Sequence, residues 1–179
     1  MNVLIVEDEK ALTAELEIFL INCSYVCDVC FDGRSASEKI ATNLYDFILI
    51  DCPHAIGMLT VNALVASDLV LIPLPGEFLP LKGVYSFMRQ FDMIRKKLNP
   101  KLELLGIVLT KFDDRKIMNL GIRQQLEEKF PGKVFRSVIR TNIQLSKAQE
   151  AGQDIFSFDK SSNGAKDYRS LAEEMMQKL

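Results

Sequence analysis

The sequence predicts an α/β protein with a doubly wound, mostly parallel sheet. Short apolar runs of strand length alternate with longer segments that have helical character, in the order βαβαβαβαβαβα. One of these runs, at 47–51, ends in a carboxylate and is followed by a turn-forming proline, as a buried parallel strand would. Helices would therefore cover both faces of the sheet, and right-handed crossovers leave few strand orders open.

The predicted strands are short apolar-rich runs. In chain order they lie at 2–6, 25–31, 47–51, 68–74, 102–110 and 133–139. The first run ends at the acidic residues 7–9, and the pair Asp32-Gly33 closes the second. The fifth run contains Gly106. These positions place one strand before each predicted helix over most of the chain.

The predicted helices lie between and after the strands, at 11–20, 35–44, 58–66, 79–98, 119–130, 143–151 and 165–178. The first is supported by apolar residues on one helical face, and the second by apolar residues at i, i+4 and i+8. Asn99-Pro100 ends the long fourth helix, and Pro131-Gly132 ends the fifth. The polar segment 161–164 is a loop, so a single domain is predicted over 1–179.

Composition limits the classes of function. The chain is 48% hydrophobic and 26% charged, with a net charge of -2, which is ordinary for a soluble globular domain. Residues 1–51 hold three basic and ten acidic residues, whereas 52–179 hold nineteen and fourteen, an asymmetry that can mark two origins. No apolar run approaches the length of a membrane span and no signal peptide is evident, so a cytoplasmic protein without a membrane partner is expected.

The cysteines have two interpretations. Cys23, Cys27 and Cys30 lie close together, as metal ligands often do, but no second cysteine pair follows and His54 is the only histidine. Zinc usually takes four ligands. Cys27 and Cys30 would also face opposite sides of a strand. Buried structural thiols are therefore favoured over a metal site.

Asp51 is the first candidate for chemistry, because ligands in open α/β sheets bind beyond the carboxyl ends of the strands. The first strand ends at Glu7-Asp8-Glu9, and a neighbouring strand would bring Glu7, Asp8 and Asp51 together. Clustered carboxylates either raise a pKa or bind a hard cation, and Mg²⁺ is the cofactor that oxygen ligands of this kind suit. The alternative is an acidic, solvated strand end that binds nothing specific.

Residues 1–51 resemble the receiver domain of bacterial response regulators (CheY-like). The similar sequence segments are Asn2-Val3-Leu4-Ile5-Val6-Glu7-Asp8-Glu9, the second predicted strand with its turn Phe31-Asp32-Gly33, and Tyr45-Asp46-Phe47-Ile48-Leu49-Ile50-Asp51. The resemblance implies that Asp51 is a phosphoacceptor. It also implies that Glu7, Asp8, Asp51 and the backbone carbonyl of Pro53 are ligands of Mg²⁺.

Residues 45–179 resemble the ParA/Soj partition ATPases, which have a P-loop-NTPase-like fold. The similar sequence segments include 45–53, Val70-Leu71-Ile72-Pro73-Leu74 and Gly106-Ile107-Val108-Leu109-Thr110-Lys111-Phe112-Asp113. The family cradles phosphates in a glycine-rich loop after its first strand. Here that strand is followed by Glu7-Asp8-Glu9-Lys10, and no glycine precedes Gly33. Carboxylates would repel phosphates there, so no nucleotide and no ATPase activity are expected.

Each of the other candidate residues has two possible interpretations. Lys111 follows the fifth strand, where receivers place a catalytic lysine, but it is equally well an exposed lysine. His54 is either a catalytic base or, more often for a single loop histidine, a surface residue. A set of basic residues matches the DNA surface of partition ATPases but is more often a solvated face, so DNA binding is not expected: Arg115, Lys116, Arg123, Arg140, Lys147 and Arg169.

The two resemblances meet at 45–53, and they predict a recombined or engineered chimera. Fragment 1–51 would be receiver-like and fragment 52–179 ParA-like, with a flavodoxin-like front of strand order 2-1-3-4-5. The expected function is a folded scaffold with no intact active site, and no certain partner. The alternatives are a weak Mg²⁺-dependent phosphoacceptor at Asp51, in which Lys111 takes part, and residual nucleotide or DNA binding by the second fragment.

Overall fold

A computed structural model of the protein describes residues 2–6, 17, 21, 26–52, 56–76 and 78–179. Its contacts define two compact units. The first comprises Met1–Asp51 with Ser146–Asp159, and the second comprises Cys52–Leu145 with Lys160–Leu179. The strands found among the described residues form one three-stranded parallel sheet in each unit. In these described ranges, no helix is both long enough and apolar enough to span a bilayer.

The strands and helices have the following bounds. The strands are β1 (Asn2–Val6), β2 (Val26–Cys30), β3 (Phe47–Ile48), β4 (Leu69–Pro75), β5 (Glu103–Phe112) and β6 (Val134–Arg140). The helices of the described residues are α1 (Gly33–Thr42), α2 (Met58–Ala66), α3 (Phe78–Lys97), α4 (Ile117–Lys129), α5 (Ile143–Glu150), α6 (Ile155–Asp159) and α7 (Asn163–Lys178).

The sheet of the first unit has the order β2-β1-β3. Its small core contains Leu4, Cys30 and Ala36, and Tyr45 packs against them. Helix α1 begins after Asp32, whose carboxylate accepts a hydrogen bond of 2.9 Å from the backbone N–H of Ser35. This side chain satisfies one of the N–H groups that the first turn of a helix leaves without a partner.

The sheet of the second unit has the order β4-β5-β6, and its central strand β5 is covered on both faces. Residues Leu104 to Leu109 are almost all apolar, as a central parallel strand requires. Ile107 and Leu109 belong to a core cluster with Phe112, while Leu105 and Val108 pack against Phe135 and the helix α7. The main apolar core of the second unit therefore surrounds β5.

Two carboxylates of α7 bind the backbone of β6. Glu174 accepts hydrogen bonds from the N–H groups of Arg136, at 2.9 Å, and Ser137, at 2.7 Å. Asp167, two helical turns earlier, accepts one of 3.0 Å from the N–H of Arg140. Seven helical residues rise about 10 Å, which matches three to four strand residues. The spacing of the two acids on α7 therefore fits the N–H groups that point outward from β6.

The strand predicted at 47–51 is much shorter than expected. Only Val3 with Phe47 and Leu4 with Ile48 pair in register. Leu49 follows without strand structure and its side chain is 78% exposed. The prediction of a buried strand up to Asp51 was wrong, because an apolar run becomes a strand only as far as its neighbour pairs with it.

The parallel α/β class is confirmed, but the flavodoxin-like front with the order 2-1-3-4-5 is not shown. The described strands form β2-β1-β3 and β4-β5-β6, one sheet in each unit. The single domain expected over 1–179 stays a prediction.

Candidate functional site

The carboxyl end of β5 contains a β-bulge at Lys111. Thr110 pairs with Ile139 and Phe112 pairs with Arg140, so one extra residue is accommodated in β5. Lys111 has a φ of 48°, which is in the left-handed region that side chains other than glycine rarely adopt. Without the bulge, strand alternation would put residue 111 on the same face as Leu109. The bulge instead exposes Lys111 and buries Phe112 in the core.

Asn119, in the first turn of α4, connects the ends of β4 and β5. Its side-chain oxygen accepts a hydrogen bond of 2.8 Å from the N–H of Asp113, and its amide group donates to the carbonyl of Gly76. The N–H of Gly76 in turn donates to the carbonyl of Thr110 at 3.0 Å. The Asn119 side chain is buried, being 3% exposed. We call this pair of side-chain hydrogen bonds the Asn119 bridge.

Asp113 is held by the residues that follow it. Its carboxylate accepts hydrogen bonds from the backbone N–H of Arg115 at 3.1 Å and from the guanidinium Nε and Nη2 atoms at 2.9 and 3.0 Å. These hydrogen bonds lower the pKa of Asp113, and the hydrogen bond from the Arg115 side chain has the largest effect. The turn is closed by hydrogen bonds from the N–H of Lys116 to Asp113 O and from the N–H of Asn119 to Lys116 O. Residues 111–119 are therefore a well-ordered turn that can present a ligand-binding surface.

The site residues predicted together with Asp51 are only partly described. Asp51 is exposed beyond the end of β3. Glu7, Asp8, Pro53 and His54 lie outside the described residues, so the predicted grouping of carboxylates around Mg²⁺ stays a prediction. Among the residues that are described, no three His, Cys, Asp or Glu side chains are close enough to hold a metal ion together.

The described cysteines are consistent with thiols. Cys30 is buried in the core, Cys27 and Cys52 are half-buried, and none of the three is in a disulfide. Burial raises the pKa of the Cys27 thiol, and the negative charges of Glu17 and Asp28 raise it further. Cys23 lies outside the described residues.

Several of the basic residues predicted for a DNA surface are held in ion pairs. Arg115 pairs with Asp113, Arg123 with Glu127 at 2.9 Å, and Arg140 with Asp167 at 2.6 Å. Each partner carboxylate offsets much of the charge that a phosphate would meet. Lys116 and Lys147 are exposed. The predicted surface is therefore less basic than the count of residues suggests.

The residues that sequence reasoning missed are Asn119 and Gly76. The turn signal was present, because Gly76 follows Pro75 at the end of a predicted strand. Asn119 was placed only as the first residue of a helix. A buried asparagine that joins two strand ends depends on tertiary contact, and no spacing in the sequence indicates it.

Parallel sheets with polar turns at the carboxyl ends of their strands define a class of α/β proteins that bind ligands at that edge. A model of the AAA domain family matches residues 12–104, which is just over half of the chain. The chain belongs to this family.

Relatives with known names support the same group. The chain is 38% identical to the chromosome partitioning protein ParA of Caulobacter vibrioides over 144 residues, 80% of this chain and 54% of that protein. It is 37% identical to the sporulation initiation inhibitor protein Soj of Bacillus subtilis, over 79% of this chain and 56% of that protein. It is 38% identical to the chromosome-partitioning ATPase Soj of Thermus thermophilus, over 79% and 57% respectively. The chain thus spans just over half the length of these relatives.

Solved structures with a similar fold include cobyrinic acid a,c-diamide synthase from Mycobacterium smegmatis. The form with bound ADP and magnesium has a TM-score of 0.61 and 27% identity, and the match covers 80% of this chain and 51% of that one. Another structure of the same enzyme matches 98% of this chain and 82% of that one, with a TM-score of 0.65 and 22% identity, and supports the fold alone.

These findings correct the chimera prediction. The AAA match runs continuously across 45–53, where two unrelated fragments were expected to meet. The partition relatives cover about 80% of the chain and so include residues before that segment. The prediction of an engineered scaffold with a receiver-like front was wrong, and with it the phosphoacceptor role of Asp51. The resemblance of the later residues to ParA/Soj proteins was correct.

The prediction that the chain is not an enzyme is also contradicted. The family match and the partition relatives indicate an ATPase type of fold. The inference of a lost phosphate loop rested on residues 7–10, which lie outside the described residues. The prediction assumed that the glycine-rich sequence of the family must directly follow the first strand. Nothing in the described part of the structure shows that this loop is lost.

Proposed function

We propose that this chain is a nucleotide-binding protein of the partition-ATPase type, and that the turns after β4 and β5 form part of its ligand-binding edge. The observation that carries the proposal is the Asn119 bridge together with the bulge at Lys111. Both lie at the carboxyl end of a parallel sheet, where proteins of this class bind their ligands. The named relatives and the ADP-bound structural neighbour support an adenine nucleotide as the ligand.

Lys111 is the proposed contact to the anionic part of the ligand. Its ammonium group is exposed, and the bulge directs it away from the core. A left-handed backbone in a lysine is unfavourable, and such conformations are concentrated at binding sites. The turn around it is fixed by hydrogen bonds within 111–119, so little ordering is needed when a ligand binds.

Asp51 is the proposed protein ligand of Mg²⁺ in the first unit. Mg²⁺ usually takes one or two carboxylates and completes its shell with water and substrate phosphates, so an exposed carboxylate after a strand fits it. Bound Mg²⁺ would supply positive charge to phosphate oxygens. Glu7, Asp8 and the carbonyl of Pro53 remain candidates for further ligands. The role of Asp51 in this proposal is to bind a metal and not to accept a phosphoryl group.

Titration with a fluorescent ATP analogue, with and without Mg²⁺, tests nucleotide binding, and phosphate release tests hydrolysis. We expect saturable binding that Mg²⁺ strengthens. A separate titration with Mg²⁺ alone tests Asp51. Asp51→Asn should weaken Mg²⁺ binding, whereas Asp92→Asn, at an exposed carboxylate of α3, should not. Lys111→Ala should weaken binding about tenfold, the loss of one charged contact, while Lys101→Ala should leave it unchanged. Absence of saturable binding by the unmodified chain would refute the proposal.

DNA is a proposed partner because the named relatives are chromosome partitioning proteins. The exposed ammonium group of Lys116 is the contact proposed within the second unit. Binding of duplex DNA should weaken linearly with the logarithm of salt concentration. Lys116→Glu should lower the affinity, and Lys129→Glu, at the far end of α4, is the control. Equal effects of both changes would show that only net charge matters. We also propose a cytoplasmic location, in keeping with these relatives.

A further inference from the structure

Asn119 makes two contacts that require both a carbonyl acceptor and an amide donor on one short side chain. Its carbonyl oxygen accepts from the N–H of Asp113 at 2.8 Å, and its amide nitrogen donates to the carbonyl of Gly76. Aspartate offers no donor, and leucine, although close in size, offers neither group. The side chain is buried, so loss of the amide would leave the N–H and the carbonyl group without these partners.

Gly76 is adapted to the same contact. A Cβ atom at this position would lie 3.0 Å from both the Cγ and the Oδ1 atom of Asn119, which is closer than such atoms normally approach. Gly76 is buried and its N–H donates to Thr110, the residue before the bulge. The absence of a side chain therefore allows the end of β4 to reach both Asn119 and the end of β5.

The hydrogen bonds join three segments in series. The end of β4 is held through Gly76, the end of β5 through Thr110 and Asp113, and the start of α4 through Asn119 itself. Lys111 lies between Thr110 and Asp113, so both sides of the bulge are anchored. A shift of Asn119 would consequently move the exposed ammonium group of Lys111 relative to the turn after β4.

We infer that Asn119 is a positioning residue for ligand binding, which sets the distance between the turn after β4 and the Lys111 bulge. This inference rests on the proposed nucleotide-binding function. Asn119 is buried and acts through the backbone of its two partners. Misplacement of a binding group by about 1 Å is enough to cost a large factor in function.

The test compares Asn119→Ala with Asn62→Ala, an exposed asparagine of α2, in the full chain. Hydrogen exchange without nucleotide reports whether the N–H of Asp113 loses protection. Titration with a fluorescent ATP analogue, below the unfolding temperature of each variant, then reports affinity. We expect faster exchange and affinity about tenfold weaker for Asn119→Ala, and no change for Asn62→Ala.

Two further variants keep the inference testable if Asn119→Ala does not fold. Asn119→Asp retains the acceptor for Asp113 but not the donor for Gly76, and Gly76→Ala presses on an intact Asn119. Each should weaken nucleotide affinity, and the effects of Gly76→Ala and Asn119→Asp should be less than additive, because both disturb one contact. Unchanged affinity in variants with faster exchange would overturn the inference while the proposed function stands. If the unmodified chain binds no nucleotide, the proposed function fails and the inference fails with it.

Discussion

Gly106 lies in the central strand β5 of the second unit, next to the first residues of β6. A Cβ atom added here would lie 2.5 Å from Cε2 of Phe135 and 2.6 Å from the carbonyl oxygen of Lys133. The Phe135 ring is fully buried, and the Lys133 carbonyl accepts the N–H of Ile107 at 2.7 Å. Neither neighbour can move without disturbing the core or the junction between the strands.

The change Gly106→Ala should therefore destabilise the second unit. Relief of contacts this short requires a movement of nearly 1 Å in either β5 or β6, and overpacking of a core typically costs about 1–3 kcal/mol. Because one of the two atoms belongs to the backbone, we expect the upper end of this range. Alanine regains about 0.5–1 kcal/mol by restricting the unfolded chain. The net loss should be about 2 kcal/mol.

Urea unfolding followed by circular dichroism measures this loss as a lower midpoint with an unchanged slope. Gly121→Ala is the matched control, because no atom lies within 4 Å of a Cβ added in the middle of α4. The helix should gain up to about 1 kcal/mol from that change. Equal stability of the Gly106→Ala variant and the unmodified chain would refute the close approach of β5 and β6.

Three other perturbations test the contacts of the second unit. Asp167→Ala removes a buried carboxylate that binds the backbone and guanidinium of Arg140. The free energy of unfolding, measured in urea, should fall by about 2 kcal/mol. An unchanged urea midpoint would contradict the Arg140–Asp167 ion pair. Burial raises the pKa of Glu174, but the hydrogen bonds from the backbone of β6 together lower it by more, so that the net shift is downward. The stability that Glu174 contributes is therefore present above its ordinary pKa of 4.5 and is lost as pH falls through the folded-state pKa. Glu174→Gln should remove that part of the acid dependence of the midpoint, and identical acid curves would exclude the role. Lys111→Gly should raise stability by up to about 1 kcal/mol by relieving the left-handed backbone, whereas Lys111→Ala, which retains the strain, should not.

The strands of the second unit were predictable to within two residues at either end. The expected runs at 68–74, 102–110 and 133–139 correspond to Leu69–Pro75, Glu103–Phe112 and Val134–Arg140. These strands are long and strongly apolar, so the pattern and the burial agree. The extension of β5 by two residues results from the bulge, which lets Phe112 return to the core after the exposed Lys111.

The first unit was harder to predict because its pairing is local and short. The run at 47–51 is apolar up to its final aspartate, yet only its first two residues pair with β1, and Ile50 is exposed. An apolar run indicates burial only when another element covers it. The chimera hypothesis depended on the same segment, because several α/β families share a strand sequence that ends in aspartate. The continuous family match across this segment corrected the hypothesis.

Of the candidate site, Lys111 was singled out from its place after a strand, but its geometry was not foreseeable. The sequence shows neither a glycine nor an asparagine at the bulge, which are the residues that signal a left-handed backbone. Asn119 and Gly76 were missed because they are 43 residues apart in sequence. Contacts at that separation depend on the way the strands pack.

Two of the register irregularities of β5 have different effects on its packing. Register with β4 shifts after Leu104, so that Leu105 is accommodated as an extra residue and packs against α7 without interrupting the buried run. The second bulge has the opposite result, because it places Lys111 in solvent and restores the core with the next residue. If β5 were regular at 111, a lysine would occupy the face that Leu109 shares with the core, at a cost of several kcal/mol for a buried charge. The bulge thus lets a charged residue remain at the proposed ligand-binding edge while β5 keeps its packing on both faces.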